Sequence, residues 1–249
     1  MIKYIDEKGI IEPYNSVPAE NIKGAKTAIT TFSTHLFDQL IKATNAVPCG
    51  IMRGGVDKEL YLGKAGEKNV AVYLSNIGAP AAVALMEEVF AVDVENVIAF
   101  GICGALVDVP HQSVVVPDKA FRDEGTSYHY ASPSDFISVK NAHAVNKSLL
   151  SSGINTFVGG TWTTDGFYRE TKTRMEEVKS NGCVAVDMEC AALQACADFR
   201  GKQFYTFFIT ADSLAGEKWQ PNDILDLKAT DATTVAVAAA VKLASEISK

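Results

Sequence analysis

Two rhythms of apolar and polar positions run along this chain. Short stretches that are apolar at nearly every position, such as NVIAFGI (96–102) and FYTFFI (204–209), alternate with longer segments at helical spacing. A strand apolar on both faces reads as one buried between covering layers, so these stretches predict a sheet clothed by helices. Strands are predicted at Thr27–Phe32, Leu60–Gly63, Val70–Leu74, Val97–Ile102, Val114–Val116, Thr156–Val158, Val184–Asp187 and Phe204–Thr210. Helices are predicted at Thr34–Thr44, Pro80–Ala91, Val139–Ser152, Glu170–Asn181, Glu189–Phe199 and Thr230–Ile247. Pro80 suits a first helical turn, and Glu87 and Glu88 complete the polar face of its helix. No internal repeat and no Pro/Gly/Ser linker interrupts the pattern, so residues 1–249 read as one α/β domain. In such sheets ligands collect at the carboxyl ends of strands.

Composition narrows the function. Apolar residues make up 47% and charged residues 21% of the 249, which is ordinary for a globular chain. The net charge of −7 is spread without a long like-charge run, which argues against nucleic acid or an anionic membrane as partner. MIKYIDEKGI has no apolar core of a secretory signal, and no apolar run approaches the ~18 residues that would suggest a membrane span. Cysteines 49, 103, 183, 190 and 196 form no CxxC pair and the four histidines are scattered. They read as buried free thiols of a cytoplasmic protein, with no metal site.

Unusual residues gather where the apolar stretches end. Val184–Ala192, VAVDMECAA, sets Asp187 and Glu189 around Met188 where a strand becomes a helix. A carboxylate there suits a vicinal diol, accepting a hydrogen bond from each hydroxyl, or else serves the helix start through the dipole. Asp212 ends the FYTFFI strand; an apolar surround raises a carboxyl pKa in the direction a general acid needs, although an Asx turn at Asp212–Ser213 accounts for it equally. Gly101-Ile102-Cys103-Gly104-Ala105 reads as a strand-to-loop turn whose two glycines let backbone approach a ligand. It is neither a P-loop nor GxGxxG. Arg122–Tyr130 is either a solvated loop or a pocket cover in which Arg122 meets an anion or a carboxylate. In Trp162–Arg169 an aromatic, Phe167 or Tyr168, offers a flat face to a planar base or simply joins the core.

Taken in order, SNIGAPAAVALMEEV, VIAFGICGALV, VVVPDKAFRDEGTSYHY, TTDGFY, VAVDMECAAL and FITADS resemble the nucleoside phosphorylase family. That family includes purine nucleoside phosphorylases, uridine phosphorylases and methylthioadenosine/adenosylhomocysteine nucleosidases. The resemblance implies a mixed sheet forming a distorted barrel flanked by helices, in a homo-oligomer (dimer, trimer or hexamer) whose sites are completed by a neighbour. By position it makes Glu189 the ribose-diol carboxylate, Met188 the residue under the sugar, Phe167 the base-stacking aromatic and Asp212 the acid at a purine. Cys103, Gly104 and Asp187 fall beside them as substrate-binding positions. Purine is favoured over uridine, because YRETKTR lacks the uridine branch's glutamine, although GTSYHY looks more like that branch.

The phosphate positions depart from the family. Arginine and Ser/Thr are replaced by Ala99 and Ile102, and PAENIKGAKTAIT (18–30) lacks the early phosphate-binding arginine. An Ala/Ile pair cannot neutralise a dianion. Arg53, Arg122, Arg169 or Arg174 would have to compensate, and Arg53 is also the candidate lent to a neighbouring subunit. The expectation is an enzyme that cleaves an N-glycosidic bond by phosphorolysis or hydrolysis, with no cofactor and with phosphate as the one conceivable co-substrate. The alternative is a catalytically silent nucleoside- or base-binding protein of the same fold.

Overall fold

A computed structural model describes residues 3–13, 17–216, 218–222 and 231–247. Among these, ten strands form one sheet: β1 (Thr27–Thr31), β2 (Val47–Met52), β3 (Lys58–Ala65), β4 (Lys68–Leu74), β5 (Asn96–Ala105), β6 (Val114–Asp123), β7 (Phe136–Ser138), β8 (Thr156–Thr164), β9 (Cys183–Asp187) and β10 (Gln203–Ser213). Six α-helices cover it: α1 (Thr34–Thr44), α2 (Ala79–Ala91), α3 (Ala142–Ser151), α4 (Lys172–Ser180), α5 (Cys190–Phe199) and α6 (Asp231–Glu246). The order β10-β6-β8-β9-β5 closes on itself because β10 also pairs with β5, giving a five-stranded mixed barrel. From β5 the sheet continues as an open wing, β1-β4-β3-β2.

The apolar stretches lie where both faces are covered. β1 is buried at all five positions, and β5 and β10 are buried over nearly their whole length. Their long parallel pairing sets Phe100 opposite Phe207, with the rings stacked at 5.5 Å between centroids. Such aromatic pairs add about 0.5–1.5 kcal/mol beyond area burial.

The strands near the site are longer than their apolar cores suggest. β5 runs straight through GICGA to Ala105, so the expected turn is a strand. Gly104 is needed there for a different reason. It pairs with both Val186 of β9 and Asp212 of β10, and a Cβ at 104 would lie 2.8 Å from Val186 Cγ1 and 3.0 Å from Leu214 Cδ1. A glycine therefore lets two neighbours close on one strand. β6, β8 and β10 likewise extend to Asp123, Thr164 and Ser213, with polar residues held by pairing at their ends. Edge strand β2 and three-residue β7 were not foreseen, since neither carries a continuous apolar run. Thr230, the predicted start of the last helix, lies outside the described residues.

Glu87 and Glu88 do not form a solvent face on α2, because both are buried. Glu87 receives Arg200 Nε at 2.6 Å and Nη2 at 2.9 Å. Glu88 accepts the Arg53 backbone N–H, at 2.9 Å to its nearer oxygen. Buried carboxylates are tolerable when so bonded, which is why helical spacing alone misreads them.

Candidate active site

A cavity of about 540 Å³ opens where the barrel meets the wing. Ile102, Cys103 and Gly104 of β5, Val186 and Asp187 of β9, Met188 and Glu189 beyond it, and Asp212 of β10 form its barrel side. Phe167 and Glu170, following β8, complete that side, while Phe32, Ser33 and Ile77 enter from the ends of the wing strands β1 and β4. Seven sequence-predicted positions, Cys103, Gly104, Phe167, Asp187, Met188, Glu189 and Asp212, thus line one space.

The two carboxylates of VDMEC are built differently. Asp187 Oδ1 accepts the hydroxyls of Thr161 and Thr163, both at 2.9 Å, and Oδ2 accepts the backbone N–H groups of Glu189 and Cys190 at 2.7 and 2.6 Å. Thr161 and Thr163 share one face of β8 by strand alternation, so both hydroxyls reach the same oxygen. Burial pushes the Asp187 carboxyl up and these four bonds pull it back. Four donors fill the acceptor positions of a carboxylate. Asp187 thus borders the cavity while its oxygens fasten β9 and the start of α5 to β8.

Glu189 retains the freedom that Asp187 lacks. Its Oε1 accepts the backbone N–H of Gly78 at 2.6 Å. Gly78 caps α2 with φ 94°, a left-handed conformation that favours glycine, so the helix N-terminus faces this carboxylate. Burial first, and the neighbouring Asp187 charge second, push the Glu189 carboxyl up to about 8, against the Gly78 bond.

Asp212 sits just after a register shift between Thr210 and Asp212, a bulge in the β5–β10 pairing. Bulges re-aim side chains at the rims of barrels. Burial raises its pKa, while the indole of Trp219, donating to Oδ2 at 2.6 Å, lowers it. Glu170 was not foreseen as a site residue, because it reads as the first residue of a helix. The structure instead places it before α4, in the cavity, where burial and then the Asp212 charge push it up to about 7. Phe167 is 37% exposed and meets Tyr168 edge-on at 4.9 Å.

The three candidate anion-binding arginines stand elsewhere. Arg122 is buried in β6, where its guanidinium donates to Ser127 Oγ at 2.8 Å, the Ser132 carbonyl at 2.7 Å, Ser134 Oγ at 3.0 Å and the Ala131 carbonyl at 3.2 Å. It also lies over the Tyr128 ring. Arg122 therefore pins the 124–134 loop with four of its five N–H groups and stands outside the cavity lining. Arg53 and Arg169 are exposed and outside the cavity lining. Arg174 pairs with Glu177 at 2.8 Å. Among the described residues, no Lys, Arg or His lines the cavity, whereas Glu170, Asp187, Glu189 and Asp212 do. Nor does any group of three His, Cys, Asp or Glu among them suit a metal ion, and no helix is long and apolar enough to cross a membrane.

A family model for the phosphorylase superfamily matches residues 26–247. This chain belongs to that superfamily. The mixed barrel with flanking helices is the fold that membership implies. Similar proteins include the DeoD-type purine nucleoside phosphorylase of Bacillus subtilis (strain 168), 28% identical over 160 residues, covering 61% of this chain and 67% of the relative. The DeoD-type purine nucleoside phosphorylase of Aliivibrio salmonicida is 28% identical over 192 residues, covering 74% and 80%. The guanosine phosphorylase of Halorubrum lacusprofundi is 29% identical over 137 residues, covering 53% and 56%.

Proposed function

We propose that this superfamily member cleaves the N-glycosidic bond of a nucleoside, purine in preference to uridine. The observation that carries the reading is the convergence of Phe167, Glu189 and Asp212, from three separate segments, on one cavity. Glu189 takes the ribose diol, Met188 lies beneath the sugar, Phe167 stacks on the base, and Asp212 gives a hydrogen bond or proton to the leaving purine. As the bond breaks, positive charge develops on the ribose and electrons move into the base. An ionised Glu189 beside the sugar favours the first change, and a protonated Asp212 favours the second. The purine and guanosine phosphorylases among the relatives support the choice of base.

Water is the acceptor we favour. A phosphate dianion would enter a lining that carries four carboxyl groups and, among the described residues, no cation. Ala99 stays buried in β5 and Ile102 presents an apolar side chain. Phosphorolysis is the second reading, favoured by the names of the relatives. Adenosine, guanosine, inosine and uridine, each incubated with and without inorganic phosphate, decide between them. Free ribose at a rate indifferent to phosphate supports hydrolysis; saturable dependence with ribose-1-phosphate as product overturns it. Binding of a riboside without turnover under either condition would instead support the silent-binder reading.

A homo-oligomer is also proposed, with exposed Arg53 the residue offered to a neighbouring copy. Light scattering showing an active monomer removes it.

A further inference from the structure

We propose that Trp219 is the positioning residue for Asp212, holding Oδ2 so that the transferable proton resides on Oδ1. This rests on the reading of Asp212 as the acid at the leaving base. Two observations carry it. The indole Nε1 donates to Oδ2 at 2.6 Å, and an N–H donor excludes a proton from the lone pair that it occupies. Oδ1 points the other way, toward β5: it lies 3.2 Å from where a Cβ on Gly104 would stand, and Gly104 lines the nucleoside cavity. The hydrogen-bonding choice made outside the cavity thus dictates which oxygen acts inside it.

The indole is itself held in register. Ser213 and Gln220 form an isolated antiparallel bridge with reciprocal backbone bonds of 2.9 Å, and Leu214 N–H donates to the Ala105 carbonyl at 2.8 Å. Trp219 is therefore tied to the end of the strand that carries Asp212, although it is 49% exposed. The other ionisable groups lining the two cavities that Asp212 borders are Cys103, Glu170, Asp187 and Glu189 in the nucleoside cavity and Asp108 and His111 in a smaller one of about 360 Å³. Besides its own backbone N–H, the Asp212 carboxylate accepts the Trp219 indole, which is the side-chain donor that orients it.

The test is Trp219→Phe, which keeps an aromatic ring and removes the donor. Purine riboside cleavage should lose about tenfold in kcat, the scale of one hydrogen bond to a charged group, while KM moves much less. The alkaline limb of the pH–rate profile should move upward, since the lost bond favours the ionised form. Trp219 emission in the parent should titrate with Asp212, and this titration should vanish in Asp212→Asn. Fluorescence also reports whether each variant retains the buried Trp162 environment. A folded Trp219→Phe protein with unchanged kcat and pH limb, beside a crippled Asp212→Asn, overturns the positioning role alone. A fall in kcat with the limb unmoved overturns it too, as a loop effect. Asp212→Asn turning over like the parent overturns the reading of Asp212 and this proposal together.

Discussion

Among the described residues, the barrel side supplies all four carboxyl groups of the cavity and the wing none. From the barrel come Asp187, Glu189, Asp212 and the Glu170 that follows β8; from the wing come Phe32, Ser33 and Ile77. Both halves place residues at or just beyond strand ends, so topology does not explain the contrast. What differs is the backbone behind each residue. In the barrel, neighbouring strands supply hydroxyls and N–H groups that make buried carboxylates tolerable, as Thr161 and Thr163 do for Asp187. At the wing the principal donor is Gly78, and it is directed back at Glu189. Charge placement therefore follows donor supply.

The largest expected effect lies on the barrel side. Asp212→Asn should lower kcat for purine ribosides by about 10²–10⁴-fold, the usual worth of a general acid, with a smaller change in KM. Steady-state rates on inosine and on N7-methylguanosine check it, because the methylated base already carries its positive charge. Equal losses on the two substrates would make Asp212 structural.

Above pH 8, where the Glu189 carboxyl is ionised, Glu189→Ala should weaken riboside affinity by about 1.5–3 kcal/mol, roughly 10- to 150-fold, through loss of a charged acceptor for the diol. Calorimetric titration measures it. Undiminished affinity in a folded variant would move the sugar elsewhere.

The same residue gives a stability test. The Glu189 carboxyl rises to about 8 and Glu170 to about 7, both from an ordinary 4.5. Between those values the folded chain holds protons that the unfolded chain releases. Their contribution to stability is therefore complete below pH 4.5 and is lost as pH rises toward 8. Urea midpoints of the ligand-free protein should decline across this window, and Glu189→Gln should flatten the decline. A midpoint that climbs over the same range in the parent, and falls back in Glu189→Gln, would reverse the sign.

On the wing the effect is smallest. Ile77 is largely exposed, so Ile77→Ala should leave the unfolding midpoint nearly unchanged. It should cost roughly 1 kcal/mol of ligand binding, about fivefold, by removing apolar contact. A loss as large as that of Glu189→Ala would mean that the apolar wall, not the carboxylates, dominates recognition.

Much of this arrangement was legible from residue order. Continuous apolar stretches marked the buried strands, and the resemblance picked out Phe167, Glu189 and Asp212, which line one cavity. The rest required three dimensions. Asp187 and Glu189 look alike two positions apart, yet only the register of β8 against β9 reveals that Thr161 and Thr163 saturate one of them. Gly101–Ala105 imitates a turn because glycine spacing does not distinguish a bend from a seam where two strands press on a third. Glu170 was hidden by helical spacing, and Arg122 by the habit of assigning cations to anions. Trp219 follows Asp212 by seven residues, and its contact with Asp212 appears only in the folded chain.

The Gly78–Glu189 bond has a practical consequence. It joins the start of a wing helix to the start of a barrel helix, so an occupant of the cavity bears on both halves at once. Occupancy should then register as heat resistance and slowed amide exchange in both α2 and α5, whether or not any bond is cleaved. A ligand at a hundred times its Kd adds about 2.7 kcal/mol to the folded state. A melting-temperature screen of free bases, nucleosides and alkyl-substituted ribosides would therefore find the natural occupant without presupposing a reaction.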